Sequence, residues 1–167
     1  QPINQMLRQI LNVDNSEARF AAYQALARNK DSYIFSRVVQ ERFVLDIVPS
    51  EGPTLIYASR TGVPRIAIIG KQVSIRTPLM LSAMDGRLTM SSVPQSSSLS
   101  IYFRGPELPT PEQAVSAPEL AELIARLAGE GTRVKDAPPL DLSYSEIVAV
   151  LQSLSDSHNL GVDSQGG

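Results

Sequence analysis

The side chains that usually carry catalysis or hold metals are scarce in this chain. It has no cysteine and no tryptophan, and its single histidine is His158. One imidazole excludes a two-histidine metal site and a histidine-based nucleophile within one chain. No Gly-x-Ser-x-Gly or Ser-x-x-Lys arrangement accompanies the abundant serines. We therefore predict no enzyme activity, no catalytic residue set, no metal site and no cofactor, and His158 is expected to be a favourable cation at a helix end.

Acidic side chains offer the one route to chemistry that remains open. The acids of the middle region are Glu41, Asp46, Glu51 and Asp85. A hydrolase built on Asp and Glu needs two carboxylates roughly 5 to 10 Å apart across a cleft. Asp85 already has a turn-forming role, and the sequence does not exclude that two of these acids converge across a cleft. Such a hydrolase is our second alternative function.

Arginine outnumbers lysine twelve to three, and five arginines fall at or near predicted strand ends. They are Arg60, Arg65, Arg76, Arg87 and Arg104. Planar guanidinium groups on a sheet rim can hold carboxylate or phosphate groups bidentately, which favours a binding module for an anionic glycan or another acidic polymer. Tyr57 and Tyr102 are candidates for stacking on sugars, or for half-buried packing. Alternatively, the arginines keep strand ends soluble and block edge pairing.

Charge is unevenly distributed along the chain, although the net charge is only −2. Residues 1–36 carry +1, residues 37–104 carry +4 and residues 105–167 carry −7. A basic middle beside an acidic C-terminal third can dock within one molecule or against a neighbour. Nucleic-acid binding usually requires a clustered Lys/Arg stripe with exposed aromatic residues. The sequence has no such stripe, so we expect no nucleic-acid partner. We predict a non-catalytic structural or interaction module of a larger protein, which binds a protein partner or a second copy of itself.

The apolar periodicity predicts helices at both ends of the chain. Ile3, Met6, Leu7, Ile10 and Leu11 mark a first helix, and a second is capped by Asp14, Asn15 or Ser16. Two capping-box spacings, Ser116–Glu119 and Ser143–Glu146, open two C-terminal helices. The first of these should end near Gly129, and the tail from Gly161 should be frayed.

Between the helices, short apolar segments alternate with turn signals. The predicted strands are 43–48, 55–60, 65–69, 73–76, 79–84, 87–92 and 99–103, with a polar loop over 91–98 and a proline-rich connection over 105–110. Asp85-Gly86 should form a type I′ hairpin turn. The expected fold is α+β, with an N-terminal helical pair, a central antiparallel β-meander (sheet, roll or small barrel) and a C-terminal helical pair. We expect the regions 1–36, 37–104 and 105–160 to form one compact domain, followed by a flexible tail, 161–167.

Two segments resemble known families. Ile68-Ile69-Gly70, Val73, Ile75, Pro78 and Gly86-Arg87-Leu88-Thr89-Met90 resemble a β segment near the C-terminal end of bacterial flagellar P-ring proteins, so residues 66–90 carry that resemblance. It implies a non-enzymatic periplasmic ring subunit, although helices flank the segment here. Asp14 to Arg19, followed by Ala22, Ala25 and Leu26, resembles a single HEAT-type helical unit, which would need neighbours to bury its face.

Composition leaves the compartment open. The absence of cysteine excludes a disulfide framework and thiolate zinc sites, and it is compatible with oxidising or reducing surroundings. The longest apolar runs are far shorter than the roughly 18 to 20 residues of a membrane span. The P-ring resemblance favours an extracytoplasmic location, in which a cell-envelope glycan would be a natural ligand.

Overall fold

The protein has a β-rich centre flanked by a helical pair at each end. The computed structural model describes residues 2–92, 98–105, 110–131 and 133–162. Within these ranges the helices are α1 (Pro2–Ile10), α2 (Ser16–Arg28), α3 (Leu120–Leu127) and α4 (Tyr144–Asp156). The strands are β1 (Phe35–Val39), β2 (Phe43–Val48), β3 (Leu55–Ala58), β4 (Arg65–Ile69), β5 (Val73–Ile75), β6 (Met80–Ala83), β7 (Leu88–Ser91), β8 (Leu99–Phe103), β9 (Glu112–Ser116) and β10 (Leu160–Val162). This arrangement confirms the α+β class.

The chain divides into two compact units. Among the described residues, unit 1 comprises 2–72 and Val162, and unit 2 comprises those between 73 and 161. The region 37–104, which we expected to form one meander, is therefore shared between the two units. Local turn signals place strands along the chain, but they do not say which strands share a sheet.

The sheet of unit 1 contains four strands in the order β1-β2-β4-β3. Its hairpins β1–β2 and β3–β4 are antiparallel, as the sequence pattern indicated for β3–β4, whereas β2 and β4 are parallel, with Asp46 opposite Ala67. The two central strands read Phe-Val-Leu-Asp-Ile-Val and Arg-Ile-Ala-Ile-Ile, almost continuous apolar runs that suit strands buried on both faces. The parallel neighbours differ from the antiparallel meander that we expected at this point.

Strand β1 was not predicted from the sequence. It joins β2 through a turn at Gln40 and Glu41, whose φ angles of 50° and 57° lie in the left-handed region. Neither residue is glycine, so the sequence carries no conventional hairpin signal there. The turn nevertheless pairs Phe35 with Ile47 and Val39 with Phe43.

Helix α2 packs on one face of this sheet. Asn15, one of the three predicted caps, accepts a hydrogen bond from the Ala18 amide at 2.9 Å. The core of unit 1 joins α2 to β2 and β4 through buried apolar side chains: Leu11, Ala22, Tyr23, Leu26, Ile34, Val48, Ala67 and Ile69. Helix α1 packs on α2 but buries none of its own residues fully.

Unit 2 contains an antiparallel sheet in the order β6-β7-β8-β9 and a two-stranded sheet of β5 and β10. The predicted Asp85-Gly86 hairpin is confirmed, since Ala83 pairs with Leu88. Met84, at φ 54°, shares the left-handed turn with Asp85 and Gly86. The polar loop predicted over 91–98 falls mainly on residues 93–97, outside the described residues. Residues 106–109 of the proline-rich connection also lie outside the described residues.

The C-terminal part of the chain corrects three details of the prediction. Strand 99–103 is not the last of the β region, because β9 pairs with it, Ile101 opposite Ala114. Ser116 ends β9 instead of capping α3, whose cap is the Glu119 carboxylate, which accepts from the Ala121 and Glu122 amides. The tail is ordered as far as β10, and residues 163–167 lie outside the described residues.

The second predicted capping box is confirmed. Ser143 accepts from the Glu146 amide at 3.2 Å, and the Glu146 carboxylate accepts from the Ser143 amide at 2.9 Å. Helices α3 and α4 supply the apolar cover of unit 2, with α3 against β9 and α4 against β6. Their buried residues are Leu120, Leu123, Ile124, Ala125, Leu127, Ile147, Val150, Leu151 and Leu154.

Three helices end in the same C-terminal motif. After α4, the Asn159 amide bonds to the Leu154 carbonyl and the His158 amide to the Ser155 carbonyl, with His158 at φ 59°. Helix α2 ends similarly with Lys30 at φ 51°, and α3 with Gly129 at φ 107°. This is the Schellman motif, whose left-handed residue is usually glycine. His158 is thus the left-handed residue of a helix terminus, and the end predicted near Gly129 is confirmed.

Candidate interaction surface

The most polar feature of unit 1 is a buried cluster around Asp46. Asp46 is 0% exposed. One carboxylate oxygen accepts from the Tyr23 hydroxyl at 2.6 Å and from Arg65 Nη1 at 2.6 Å, and the other accepts from the Ser36 hydroxyl. These donors come from α2, β4 and β1, so Asp46 ties the helix and two strands to β2. A carboxylate enclosed by three donors has no access to a substrate, and we assign it a structural role.

Electrostatics within this cluster favour a fixed protonation pattern. Burial raises the pKa of the Tyr23 hydroxyl, and the hydrogen bond to Asp46 and its negative charge raise it further. Burial alone would lower the pKa of Arg65, but hydrogen bonds to Tyr23 and Asp46 outweigh it, so the Arg65 pKa is raised. Tyr23 therefore stays a hydrogen-bond donor and Arg65 a cation across the physiological range.

A second buried polar group, Arg19, holds the loop after β2. Its Nε donates to the Leu11 carbonyl at 2.7 Å and its Nη2 donates to the Ser50 hydroxyl at 3.0 Å. Burial lowers the pKa of Arg19, and the charge of Asp14 partly offsets that effect. Gly52 lies against the guanidinium, because a Cβ there would stand 2.9 Å from Arg19 Cζ. This contact fixes Arg19 against the segment from Ser50 to Pro53 that follows β2.

Neither Arg19 nor Tyr23 was among the residues that we predicted to be buried. Their positions with Ala22 and Leu26 follow the i, i+3, i+4, i+7 spacing of a helix face, which was the available signal. The apolar residues Ala18, Phe20 and Ala25 of the same helix are only partly buried. Arginine is rarely fully buried, so we did not predict burial of Arg19 although its position lies on this helix face.

The five predicted binding arginines are divided between the units. Arg60 is exposed in the β3–β4 loop, and Arg65 bonds to Asp46. In unit 2, Arg76 donates to the His158 carbonyl at 3.2 Å, Arg87 lies 5.7 Å from the Phe103 ring centroid, and the Arg104 amide bonds to the Arg87 carbonyl at 2.8 Å. The structure brings Arg87 and Arg104 together immediately beside the neighbouring strands β7 and β8, and it gives Arg65 an internal partner.

The open face of the β6–β9 sheet carries the more exposed of the two predicted aromatics. Tyr102 is 46% exposed, and the strand register places it between Thr89 and Gln113. Arg104 follows two residues later. Tyr57, by contrast, packs on Phe20 with ring centroids 4.4 Å apart and is partly buried. Tyr102 is therefore available to a ligand and Tyr57 serves packing.

The acids of the β region occupy different surroundings. Glu51 forms an ion pair with Lys71 at 2.9 Å, Asp46 is enclosed, and Glu41 and Asp85 are exposed in turns. Among the described residues, no group of three or more His, Asp and Glu side chains is arranged to hold a metal ion. In the same ranges, no helix has the length and apolar character needed to cross a bilayer.

Edge strand β1 presents the most conspicuous apolar surface of unit 1. Four of its five residues are exposed, with Phe35 at 66% and Val38 at 61%. These two side chains point to opposite faces of the sheet, because strand residues alternate. Edge strands are usually short, charged or covered, since their outer backbone groups can pair with another strand. In β1 only Arg37 supplies such protection.

The other sheet edges differ from β1. In unit 2, the Gln113 amide of β9 already bonds to the Pro138 carbonyl at 3.0 Å, and β6 packs against α4. Every residue of β3, the far edge of the unit 1 sheet, is partly buried. Among the edge strands of the two four-stranded sheets, β1 therefore has the most exposed residues, and two of them are the large apolar residues Phe35 and Val38. Helix α1 adds further exposed apolar side chains to unit 1, Ile3 and Met6.

Comparison of the chain with protein-family models, with curated proteins and with solved structures finds no match.

Proposed function

We propose that this protein is a non-catalytic interaction module whose edge strand β1 receives an extended segment of a protein partner. The observation that carries the proposal is the exposure of Phe35 and Val38 on the two faces of an open sheet edge. In strand addition, main-chain hydrogen bonds supply affinity and alternating side chains supply specificity. Phe35 and Val38 would each contact one side of the added strand.

Rigidity of the edge supports this role. Ser36, the second residue of β1, donates its hydroxyl to Asp46, and Tyr23 and Arg65 bond to the same carboxylate. The strand is thereby held in place before a partner arrives, which lowers the entropic cost of binding. The buried cluster around Asp46 serves the surface by positioning β1.

The test is selection of peptides from a random library displayed on phage, followed by binding measurements on two matched variants. Val38→Lys places a charge on the β1 edge, and Val63→Lys places the same charge on a 65% exposed valine in the β3–β4 loop. We expect selected peptides to lose about tenfold or more in affinity, about 1.4 kcal/mol, with Val38→Lys and to bind Val63→Lys normally. Peptides that bind both variants equally would contradict the proposal.

The P-ring resemblance of residues 66–90 adds a location to the same proposal, namely an assembly in the cell envelope. These residues run from β4 to β7 and cross the boundary between the units. A subunit of a cell-envelope ring, or a protein with a related module, would need exposed strand edges for assembly. Secretion of the full parent protein to the periplasm, followed by fractionation, tests this location. Recovery only from the cytoplasm would remove it.

A second candidate function is recognition of an anionic glycan by unit 2. The observation that favours it is the row formed by Thr89, Tyr102 and Gln113 on an open sheet face, with Arg87 and Arg104 beyond one end. An exposed aromatic ring can stack on a sugar while arginines bind its carboxylate. Retention on an acidic polysaccharide should fall with salt and with Arg104→Gln, but not with Arg60→Gln. Equal retention of both variants would exclude this site.

The hydrolase alternative loses its most central acid, since Asp46 is committed to three donors. Charge reversal at Arg65 would disrupt the buried cluster around Asp46 as well as any contact that the strand-end arginines make with a partner. Arg60 and Arg104, which are both exposed, are the better positions for such a probe.

A further inference from the structure

We infer that the partner segment received by β1 carries two apolar residues three positions apart, one on each of its faces. This inference rests on the proposed function, because it names the sequence pattern of the partner that binds the same edge. The pattern follows from two properties of β1, the direction of its main-chain groups and the placement of its exposed apolar side chains. The register between β1 and β2 fixes both properties.

The main-chain groups that β1 offers to a partner are those of Ser36 and Val38. The Val44 amide of β2 donates to the Pro64 carbonyl at 3.0 Å, so the main chain of Val44 points toward β4. Val44 lies opposite Val38, and opposite residues of an antiparallel pair either exchange both hydrogen bonds or exchange none. Val38 and, two residues before it, Ser36 therefore turn their amide and carbonyl groups to the open side of the sheet.

These outward groups are available. Within the described ranges, no hydrogen bond of a turn or loop involves the main chain of Ser36 or Val38, and both residues are exposed. The Ser36 hydroxyl already donates to Asp46, so Ser36 offers a partner its main chain only. An added strand can exchange both of its main-chain bonds with each of these two residues.

The exposed apolar side chains of β1 lie three residues apart. Phe35 is 66% exposed and Val38 is 61% exposed. Because strand residues alternate between faces, Phe35 shares its face with Arg37, and Val38 shares the other face with Ser36. Residues directly opposite each other on neighbouring strands lie on the same face. A partner strand therefore meets both apolar side chains only with one apolar residue on each of its own faces.

The resulting pattern is apolar-x-x-apolar, and it is the same for either direction of the partner chain. A strand that alternates apolar and polar residues has all its apolar side chains on one face. Such a strand can place an apolar residue beside Phe35 or beside Val38, but not beside both. β-branched and aromatic residues suit the two apolar positions, since they favour extended structure and pair well across strands.

The expected affinity for a short peptide is low. An added strand that covers four residues of β1 buries less surface than the roughly 1,200 Å² at the lower end of stable interfaces. Titration followed by nuclear magnetic resonance is suitable, because it measures weak binding and reports on each amide of β1.

The test titrates isotopically labelled protein with two blocked synthetic peptides of the same composition, KTITTITK and KTITITTK. The isoleucines are three positions apart in the first peptide and two apart in the second. We expect both peptides to shift the Ser36 and Val38 amide resonances. The first should bind about threefold more tightly, because it forms one more apolar pair with β1.

Two matched variants locate the origin of this preference. Val38→Thr keeps the branched shape of the side chain but removes its apolar character on one face of β1, so it should abolish the preference. Val63→Thr makes the same change at a 65% exposed valine of the β3–β4 loop and should leave the preference unchanged. A preference that survives Val38→Thr would overturn the inference.

The other outcomes separate the inference from the proposed function. Equal binding of the two peptides, or tighter binding of the alternating one, with shifts at Ser36 and Val38, would overturn the spacing and leave strand addition at β1 intact. Absence of shifts at β1 with either peptide at millimolar concentration would also overturn the inference. The phage selection then decides separately whether β1 receives a segment of another sequence.

Discussion

Removing the charge of Asp46 is the perturbation that the structure describes most completely. In Asp46→Asn the amide can be oriented so that its oxygen accepts from Tyr23 and Arg65 and its NH₂ donates to the Ser36 oxygen. All three hydrogen bonds of the carboxylate then persist, and only the ionic part of the interaction is lost. The variant therefore isolates the contribution of charge.

The magnitude follows from the partners. Hydrogen bonds to an ionised group contribute about 1.5 to 3 kcal/mol, roughly twice the value of neutral bonds, so two weakened bonds cost about 2 kcal/mol. Arg65 is 33% exposed, so water screens its lost attraction to Asp46 and the additional cost is about 1 kcal/mol. We expect Asp46→Asn to lower the free energy of unfolding by about 2 to 3 kcal/mol. At this chain length that is a fall of roughly 4 to 12 °C in Tm.

Urea denaturation followed by circular dichroism measures this loss, with Asp46→Ala and Tyr23→Phe as companions. Asp46→Ala strands the Tyr23 hydroxyl and should cost more than Asp46→Asn, about 4 kcal/mol. Combining Asp46→Asn with Tyr23→Phe should cost less than the sum of the two single changes, because the residues share a bond. A loss below about 0.5 kcal/mol for Asp46→Asn would refute the reasoning, since that is the range of an ordinary surface substitution.

Alkaline titration gives an independent readout of the same cluster. The folded-state pKa of Tyr23 is raised above its ordinary value near 10, so the protonated phenol is favoured in the fold. Its contribution to stability is complete below about pH 10 and is lost as pH rises through the raised pKa. In an absorbance titration of the unaltered protein, Tyr23 should ionise only when the protein unfolds. In Asp46→Asn, which lacks the neighbouring negative charge, Tyr23 should ionise at a lower pH.

Three further predictions concern other parts of the fold. Gly52→Ala should lower the free energy of unfolding by about 1 to 3 kcal/mol, because the new Cβ displaces the buried Arg19 guanidinium; an unchanged urea midpoint would contradict that contact. Lys30→Gly should raise stability by about 0.5 to 1 kcal/mol by relieving the left-handed residue after α2, whereas Lys30→Ala should not, and thermal unfolding of the pair checks this. Burial raises the pKa of Glu112, and the charges of Asp141 and Glu146 add to the effect, so the stability that it contributes is complete below about pH 4 and lost as pH rises through the raised pKa. Glu112→Gln keeps the acceptor for the Asp141 amide and should be more stable than the parent at pH 7, with a gain that disappears near pH 4; a gain independent of pH would exclude the charge as its cause.

The sequence predicted several elements that are decided by nearby residues, although the capping box at Ser116 was wrong. The Ser143 capping box, the Asp85-Gly86 hairpin and strand β2 each depend on residues within a few positions of one another, and all three are confirmed. The turn at Gln40-Glu41 lacks a glycine, so β1 escaped prediction although its Phe-Ser-Arg-Val-Val sequence suits a strand. Local signals were also absent for the parallel pairing of β2 with β4, which depends on residues about 20 positions apart.

The candidate sites likewise combine features that residue type indicates with features that only the tertiary structure decides. Residue type drew attention to the arginines, but their partners are set by tertiary structure, which encloses Arg65 with Asp46 and brings Arg87 beside Arg104. The exposed edge at β1 could not be predicted from the sequence, because the strand order of the folded sheet decides which strand lies at an edge. Phe35 and Val38 are ordinary strand residues in sequence and become a surface through the order β1-β2-β4-β3.

The most direct test of the account is amide hydrogen exchange of the protein with and without a selected peptide ligand. We predict that exchange slows at alternate residues of β1, whose amides point away from β2, while the amides of β9, the edge of the other sheet, keep their rates. Protection confined to unit 2, or spread evenly over the chain, would contradict binding at the β1 edge.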